Sequence, residues 1–248
     1  FFMGVNQHTA QATNLVFFVP TSISAIIVSI KQKLINWNIG NANSLSSMFY
    51  QCTSLTNIDG LANWNTSKVT SLSYTFNECR ELTNVNALQN WNVSNVTDMN
   101  HLFYYCNKLT NIDGLSKWNT AKVTNMQVMF ANCYGLTSID PLRNWNVSNV
   151  TTQYYSYDGL FSGCNGITSI EPLRNWRFDK LTDFSYMFEY CNKITSTAGL
   201  ENWNVSNAKN MKYMFGNCEK LTNLDGLVNW KVNNVTNMNH MFSWCYKL

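Results

Sequence analysis

Charge is scarce in this sequence. Asp, Glu, Lys and Arg make up 12% of the 248 residues, against a usual share of about a quarter, and the formal net charge is +3. No run of Lys or Arg occurs, which argues against a nucleic-acid footprint or a polybasic membrane patch. Proline is rare, at 3 residues. His8, His101 and His240 are too scattered to form a site. The cysteines include no CxxC pair and have no histidine column beside them, so no metal and no cofactor is expected. No nucleophile–base pair, phosphate-binding glycine loop or paired carboxylate recurs in a cleft-like context, and the chain is not read as an enzyme.

A long apolar run is also missing. The nearest approach, "LVFFVPTSISAIIVSI" from Leu15 to Ile30, is too short to span a bilayer and is interrupted by Pro20, Thr21, Ser22 and Ser24. "HTAQA" (His8 to Ala12) has the small-residue form of a signal-peptidase site, but no charged segment precedes it. The first residue is Phe and the last repeat breaks off, as expected of a fragment or processed product. Residues 1–33 are therefore read as an N-terminal cap or processed leader, and 34–248 as a repeat domain truncated within its final unit.

What is abundant is repetition. Trp recurs at 37, 64, 91, 118, 145, 176, 203 and 230, and Cys at 52, 79, 106, 133, 164, 191, 218 and 245. Both advance by 27 residues, with one step of 31 in the fifth unit. Fixed columns at such a period indicate a solenoid in which each unit buries its apolar face against its neighbours. Trp64, Trp91, Trp118, Phe103, Phe130, Cys79, Cys106 and Cys133 are the expected core columns. The thiols continue the apolar face set by Met and Phe, so a reduced, buried cysteine ladder is expected rather than disulfides.

Two sub-patterns divide each unit. Met99, Leu102, Phe103 and Cys106 stand at i, i+3, i+4 and i+7, which predicts a two-turn helix, with Thr97 as its N-cap and Lys108 near its C-terminus. "LTNID" (Leu55 to Asp59 and Leu109 to Asp113) is too short for a helix and predicts one strand per unit. The next position is Gly60, Ala87, Gly114, Pro141, Pro172, Gly199 and Gly226. The two prolines imply that this bend needs no positive φ. The Asn before most of the Trp residues (Asn63, Asn90, Asn144) is expected in a buried turn, bonding the adjacent rung. The class predicted is α/β: a leucine-rich-repeat-like right-handed solenoid of about eight 27-residue rungs, each a short strand plus a two-turn helix, with a parallel sheet.

With "LxxIxGxxN" at Leu55 to Asn63, the unit resembles the leucine-rich repeat. The whole pattern, "NWNVSNVTNMxxMFxxCxKLTNIDGL", resembles the BspA-type repeats of surface proteins from Bacteroidetes, mycoplasmas, lactobacilli and parasitic protists, over residues 34 to 248. That resemblance implies an extracellular or cell-surface location and adhesion, with no catalytic residues to carry over.

The expected function is thus a secreted or surface-anchored, non-catalytic binding protein that engages a protein or glycan of another cell or matrix. One variable column, Ser47, Tyr74, His101, Val128, Tyr186, Tyr213 and His240, is expected on an exposed helix face, with Tyr50, Tyr104, Tyr105, Tyr190 and Trp244 beside it. Tyr154, Tyr155 and Tyr157 sit in the four-residue insertion of the fifth unit, and insertions in solenoids form loops on a binding face. The acids Asp59, Asp113, Asp140, Glu171 and Asp225 form a solvated row. Two rival readings are a structural subunit that self-associates by end-to-end stacking, and an ice-binding surface. The second needs a flat Thr array, yet the second position after Trp alternates Thr66, Val93, Thr120 and Val147.

Overall fold

The computed structural model describes residues 34–151 and 158–248, so the 1–33 segment lies outside the described residues. Successive 27-residue units lie on one another in parallel register. Backbone bridges link Ser44 to Ser71, Ser71 to Asp98 and Asp98 to Asn125, and further along Asp183 to Asn210 and Asn210 to Asn237. Each unit is one coil. The elements with defined bounds are 3-10 helices: η1 (Asp59–Leu61), η2 (Asn86–Leu88), η3 (Asp113–Leu115), η4 (Asp140–Leu142), η5 (Glu171–Asn175) and η6 (Asp225–Leu227). The "LTNID" stretch supplies isolated bridges, such as Asn84 to Asn111, and then enters the 3-10 turn.

The predicted two-turn helix is absent. From Met99 to Cys106 the chain makes consecutive turns, closed by Leu102 N–H to Met99 O (3.3 Å), Tyr104 N–H to His101 O (3.2 Å) and Cys106 N–H to Phe103 O (3.0 Å). The alternate N–H groups leave the coil altogether. Met99, His101, Phe103 and Tyr105 donate to Asn125, Gln127, Met129 and Ala131 of the next coil at 2.8–3.0 Å. His101 (φ 55°) and Tyr105 (φ 57°) are left-handed, each as the third residue of its turn, the φ sign of a type II turn. Leu102, Phe103 and Cys106 still point inward, so a winding strip of turns reproduces helical spacing. An α-helix would spend its N–H groups internally and needs neighbours about 8–10 Å away, whereas strand-like rungs stack at about 4.8 Å. The Phe rings of successive coils lie 5.4–5.8 Å apart, so this strip keeps close to the rung spacing. With the helix gone, Thr97 caps nothing. Its N–H and Oγ1 both bond Thr70 O of the preceding coil (2.8 and 3.3 Å), while Lys108 pairs with Glu81 (2.7 Å).

The interior is a set of stacked columns. Phe76, Phe103, Phe130, Phe161, Phe188 and Phe215 are fully buried, with adjacent rings within 19° of parallel. All eight cysteines are free and buried. Trp and Cys share a device. Trp118 Nε1 donates to Leu88 O (3.0 Å), a carbonyl that already accepts Trp91 N–H. Cys106 Sγ donates to Phe76 O (3.1 Å), which already accepts Cys79 N–H. Both columns repeat this bond from coil to coil, at 2.9–3.0 Å for Trp and 3.0–3.2 Å for Cys. Both side chains are apolar bodies with a single donor and no strong acceptor, and they satisfy a buried carbonyl without bringing in a new polar demand.

Two further expectations change. Asn63, Asn90 and Asn144 are exposed rather than buried in a turn. The rung-bridging Asn stands four residues after Trp: Asn95, Asn149, Asn207 and Asn234 donate to the preceding coil's carbonyl at 2.8–2.9 Å. Gly114 and Gly226 lack positive φ, but an added Cβ would meet Val85 O at 2.0 Å and Thr197 O at 1.9 Å, so close approach of the neighbouring coil requires them. Gly199 departs from the column with φ 101°, in the one described unit where that bend forms no 3-10 helix.

Candidate binding surfaces

The variable column is built on unusual backbone. Ser47, Tyr74, His101, Val128, Tyr186, Tyr213 and His240 all have φ between 45° and 60°, where bulky L-residues are uncommon. This conformation sets each side chain above its neighbour's. Tyr74 stacks on His101 (4.2 Å between centroids, 12° between planes) and Tyr213 on His240 (4.5 Å, 11°). His101 meets Tyr104 edge-on, Tyr104 meets Tyr105, Tyr105 meets Tyr134, and Tyr50 meets Tyr74. One aromatic cluster thus spans Tyr50 to Tyr134. A second holds Tyr186, Tyr213, His240 and Trp244. Val128, fully covered, separates them.

The exposure expected of this column is only partly there. Tyr74, His101 and Tyr213 are half-buried, and Tyr186 is buried at 6% exposure, its ring stacked on Tyr213 with the Lys212 ammonium close to both rings. Stacked rings in a ladder hide their faces and show their edges and hydroxyls. The most exposed rings of the strip are Tyr190 (50% exposed), Trp244 (47%) and Tyr134 (41%). Tyr134, one residue after the Cys column, was missed in the sequence. Tyr154, Tyr155 and Tyr157 lie outside the described residues.

A polar group sits between the clusters. Tyr104 Oη donates to Asp158 Oδ2 (2.8 Å), across 54 residues. Burial, together with the bond to Asp158, holds the Tyr104 phenol well above its ordinary range. Burial pulls His101 down to about 4, outweighing the opposing pull of Asp158 and Asp98, so its imidazole is neutral near pH 7. Buried Glu189 is pushed up to about 7 by desolvation and then by Asp158, with Lys212 opposing. Glu189 is legible in the sequence as the acid in a column otherwise holding Tyr50, Asn77, Tyr104, Ala131, Ser162, Gly216 and Ser243. The link from Tyr104 to Asp158 has no sequence signal.

The other rows are accounted for locally. Asn57, Asn111, Ser138 and Asn223 bond Asp59, Asp113, Asp140 and Asp225 at 2.6–2.8 Å, and Arg143 bridges Asp140 and Glu171. Thr66, Val93, Thr120 and Val147 are buried, so that column offers no flat Thr array to ice. No helix among the described residues is long and apolar enough to cross a membrane.

A family model described as "Mycoplasma protein of unknown function, DUF285" matches residues 21–112, 80–160 and 155–248, each stretch about three coils long. No curated protein and no solved structure matches the chain. The three matches overlap and together cover residues 21–248, and the chain is a repeat protein that belongs to the Mycoplasma DUF285 family.

Proposed function

We propose that this chain is a non-catalytic, adhesin-like binding protein, secreted or held at the cell surface, built as a right-handed solenoid of the BspA-type repeat class. The surface location rests on the resemblance of the repeat unit to BspA-type surface proteins. The observation that supports binding is the pair of aromatic clusters, six and four rings, seven of them on left-handed residues, in a strip whose charged groups are few. Half-buried Tyr and His give large contact area with little side-chain entropy left to lose. Because the ladder presents ring edges and hydroxyls, it suits a protein partner better than face-on stacking of a sugar.

The test is a screen against extracellular proteins and glycans with the chain and its Tyr74→Asn/Tyr105→Asn double variant. Asn tolerates the left-handed backbone, so the fold is kept while both rings are lost. Binding of the protein hit should weaken at least tenfold with the melting temperature little changed. An unchanged affinity would remove the aromatic strip from the contact.

A further inference from the structure

The edge of the coils that follows each Trp carries a row that alternates between amide and ammonium over six coils, Asn41, Lys68, Asn95, Lys122, Asn149 and Lys180, and then ends in Asn207 and Asn234. Each Lys Nζ donates to the Asn Oδ1 of the preceding coil: Lys68 to Asn41 (2.8 Å), Lys122 to Asn95 (2.7 Å) and Lys180 to Asn149 (2.7 Å). Asn95 and Asn149 are themselves fixed, since each Nδ2 donates to the carbonyl of Ser67 or Ala121. The ammonium groups are therefore held on neutral clamps. No ion pair among the described residues involves them, whereas Lys108 on the opposite edge is neutralised by Glu81. An amide orients a cation without cancelling its charge, so the full positive field of the row faces solvent.

From these contacts we infer that this edge is a docking strip for a linear sulfated polysaccharide. Rungs repeat at about 4.8 Å, so ammonium groups on alternate coils are spaced about 10 Å apart along the stack. That is comparable to the disaccharide repeat of an extended anionic glycan. Arg177, Lys209 and Lys231 broaden the positive edge over the later coils, against Asp179. Asp98 and Asp183, at the strip's border, are engaged by the N–H groups of Asn100 and Ser185. Between the cations lie Asn, Ser and Thr side chains, suited to sugar hydroxyls. Between Asn41 and Lys180 the apolar residues of this edge, such as Val69, Val96, Val123 and Phe178, are buried, and the exposed Trp37 and Val232 lie beyond the two ends of that stretch. The stretch that carries the cations therefore offers no ring on which a nucleic-acid base could stack and no apolar wedge for a bilayer. The aromatic strip plays no part here, so either proposal can fail without the other.

Heparin is the probe, with a single-stranded oligonucleotide and phosphatidylserine vesicles as rivals. The full chain should be retained on immobilised heparin at low ionic strength and released by salt. K68Q/K122Q/K180Q should weaken heparin binding at least fivefold. The charge-matched K108Q/K193Q/K220Q variant, on the opposite edge, should stay within twofold of the parent. These lysines are exposed, so both variants should keep the parent's melting temperature. Equal losses in the two triples would reduce the effect to net charge and overturn the strip. So would absence of retention, or tighter binding to the oligonucleotide or the vesicles than to heparin.

Discussion

Glu189 is the residue whose surroundings most disagree with its chemistry. Its carboxyl is buried near Asp158, and its folded value of about 7 lies above the ordinary carboxylate range. The linkage sign follows from that direction. A raised acid binds its proton more tightly when folded, so ionisation costs nothing at pH 4, grows as pH rises to about 7, and is constant above it. Glu189→Gln should therefore melt like the parent at pH 4 and above it at pH 8, by the equivalent of about 1–3 kcal/mol after allowance for solvent screening. Equal melting temperatures at pH 8 would refute the penalty. His101 acts in the other direction: a depressed value near 4 costs stability as pH falls below its ordinary 6.5. Both effects escape sequence reading because burial is the first cause of each, and burial depends on what the neighbouring coils lay over the side chain.

At the scale of the element, the turn strip explains why an apolar spacing of i, i+3, i+4 and i+7 is not a helix here. Two left-handed residues per coil are energetically costly, by about 1–2 kcal/mol each for an L-residue. They persist because every second N–H then reaches the next coil. Gly163 occupies one of these positions with φ 73°, and Gln51 holds the equivalent one with φ 57° on an exposed side chain. Gln51→Gly should raise stability by roughly 0.5–1 kcal/mol, the relief of strain less the added entropy of the unfolded glycine. Gln51→Val should lower it, since a branched Cβ fits that region worst. Chemical denaturation of the pair checks both signs, and a gain for Val would show that the strip is not strained. The sequence does show these columns as variable. It does not show them as left-handed, because Tyr, Glu, Gln, Val and Trp are poor markers of positive φ and only the scattered Asn132, Gly163, Asn217 and the two histidines point that way.

For the whole molecule, the coils hold together through columns that every unit shares. Phe103 is fully buried between Phe76 and Phe130, so Phe103→Ala should cost about 3–5 kcal/mol. The thiols report the same packing. Burial pushes Cys52 up to about 11 and Cys164 to about 12, and Cys79, Cys106 and Cys133 well above the ordinary thiol range. Iodoacetamide at pH 8 should leave the native thiols unmodified and alkylate all eight in denaturant, with Phe103→Ala raising the native rate. Rapid alkylation of the native parent would mean that the columns are not closed.

The sequence alone determined the 27-residue period, the Trp, Phe and Cys columns and the odd fifth unit, because a one-dimensional stack writes its neighbour contacts into a fixed spacing. Only the tertiary structure decided how each coil is made. Whether a backbone N–H bonds within its own segment or to the next coil leaves the same inward residues, and therefore the same apolar pattern. The identity of the clamped lysines and the covered Tyr186 was decided there too, since both depend on what one coil lays against another.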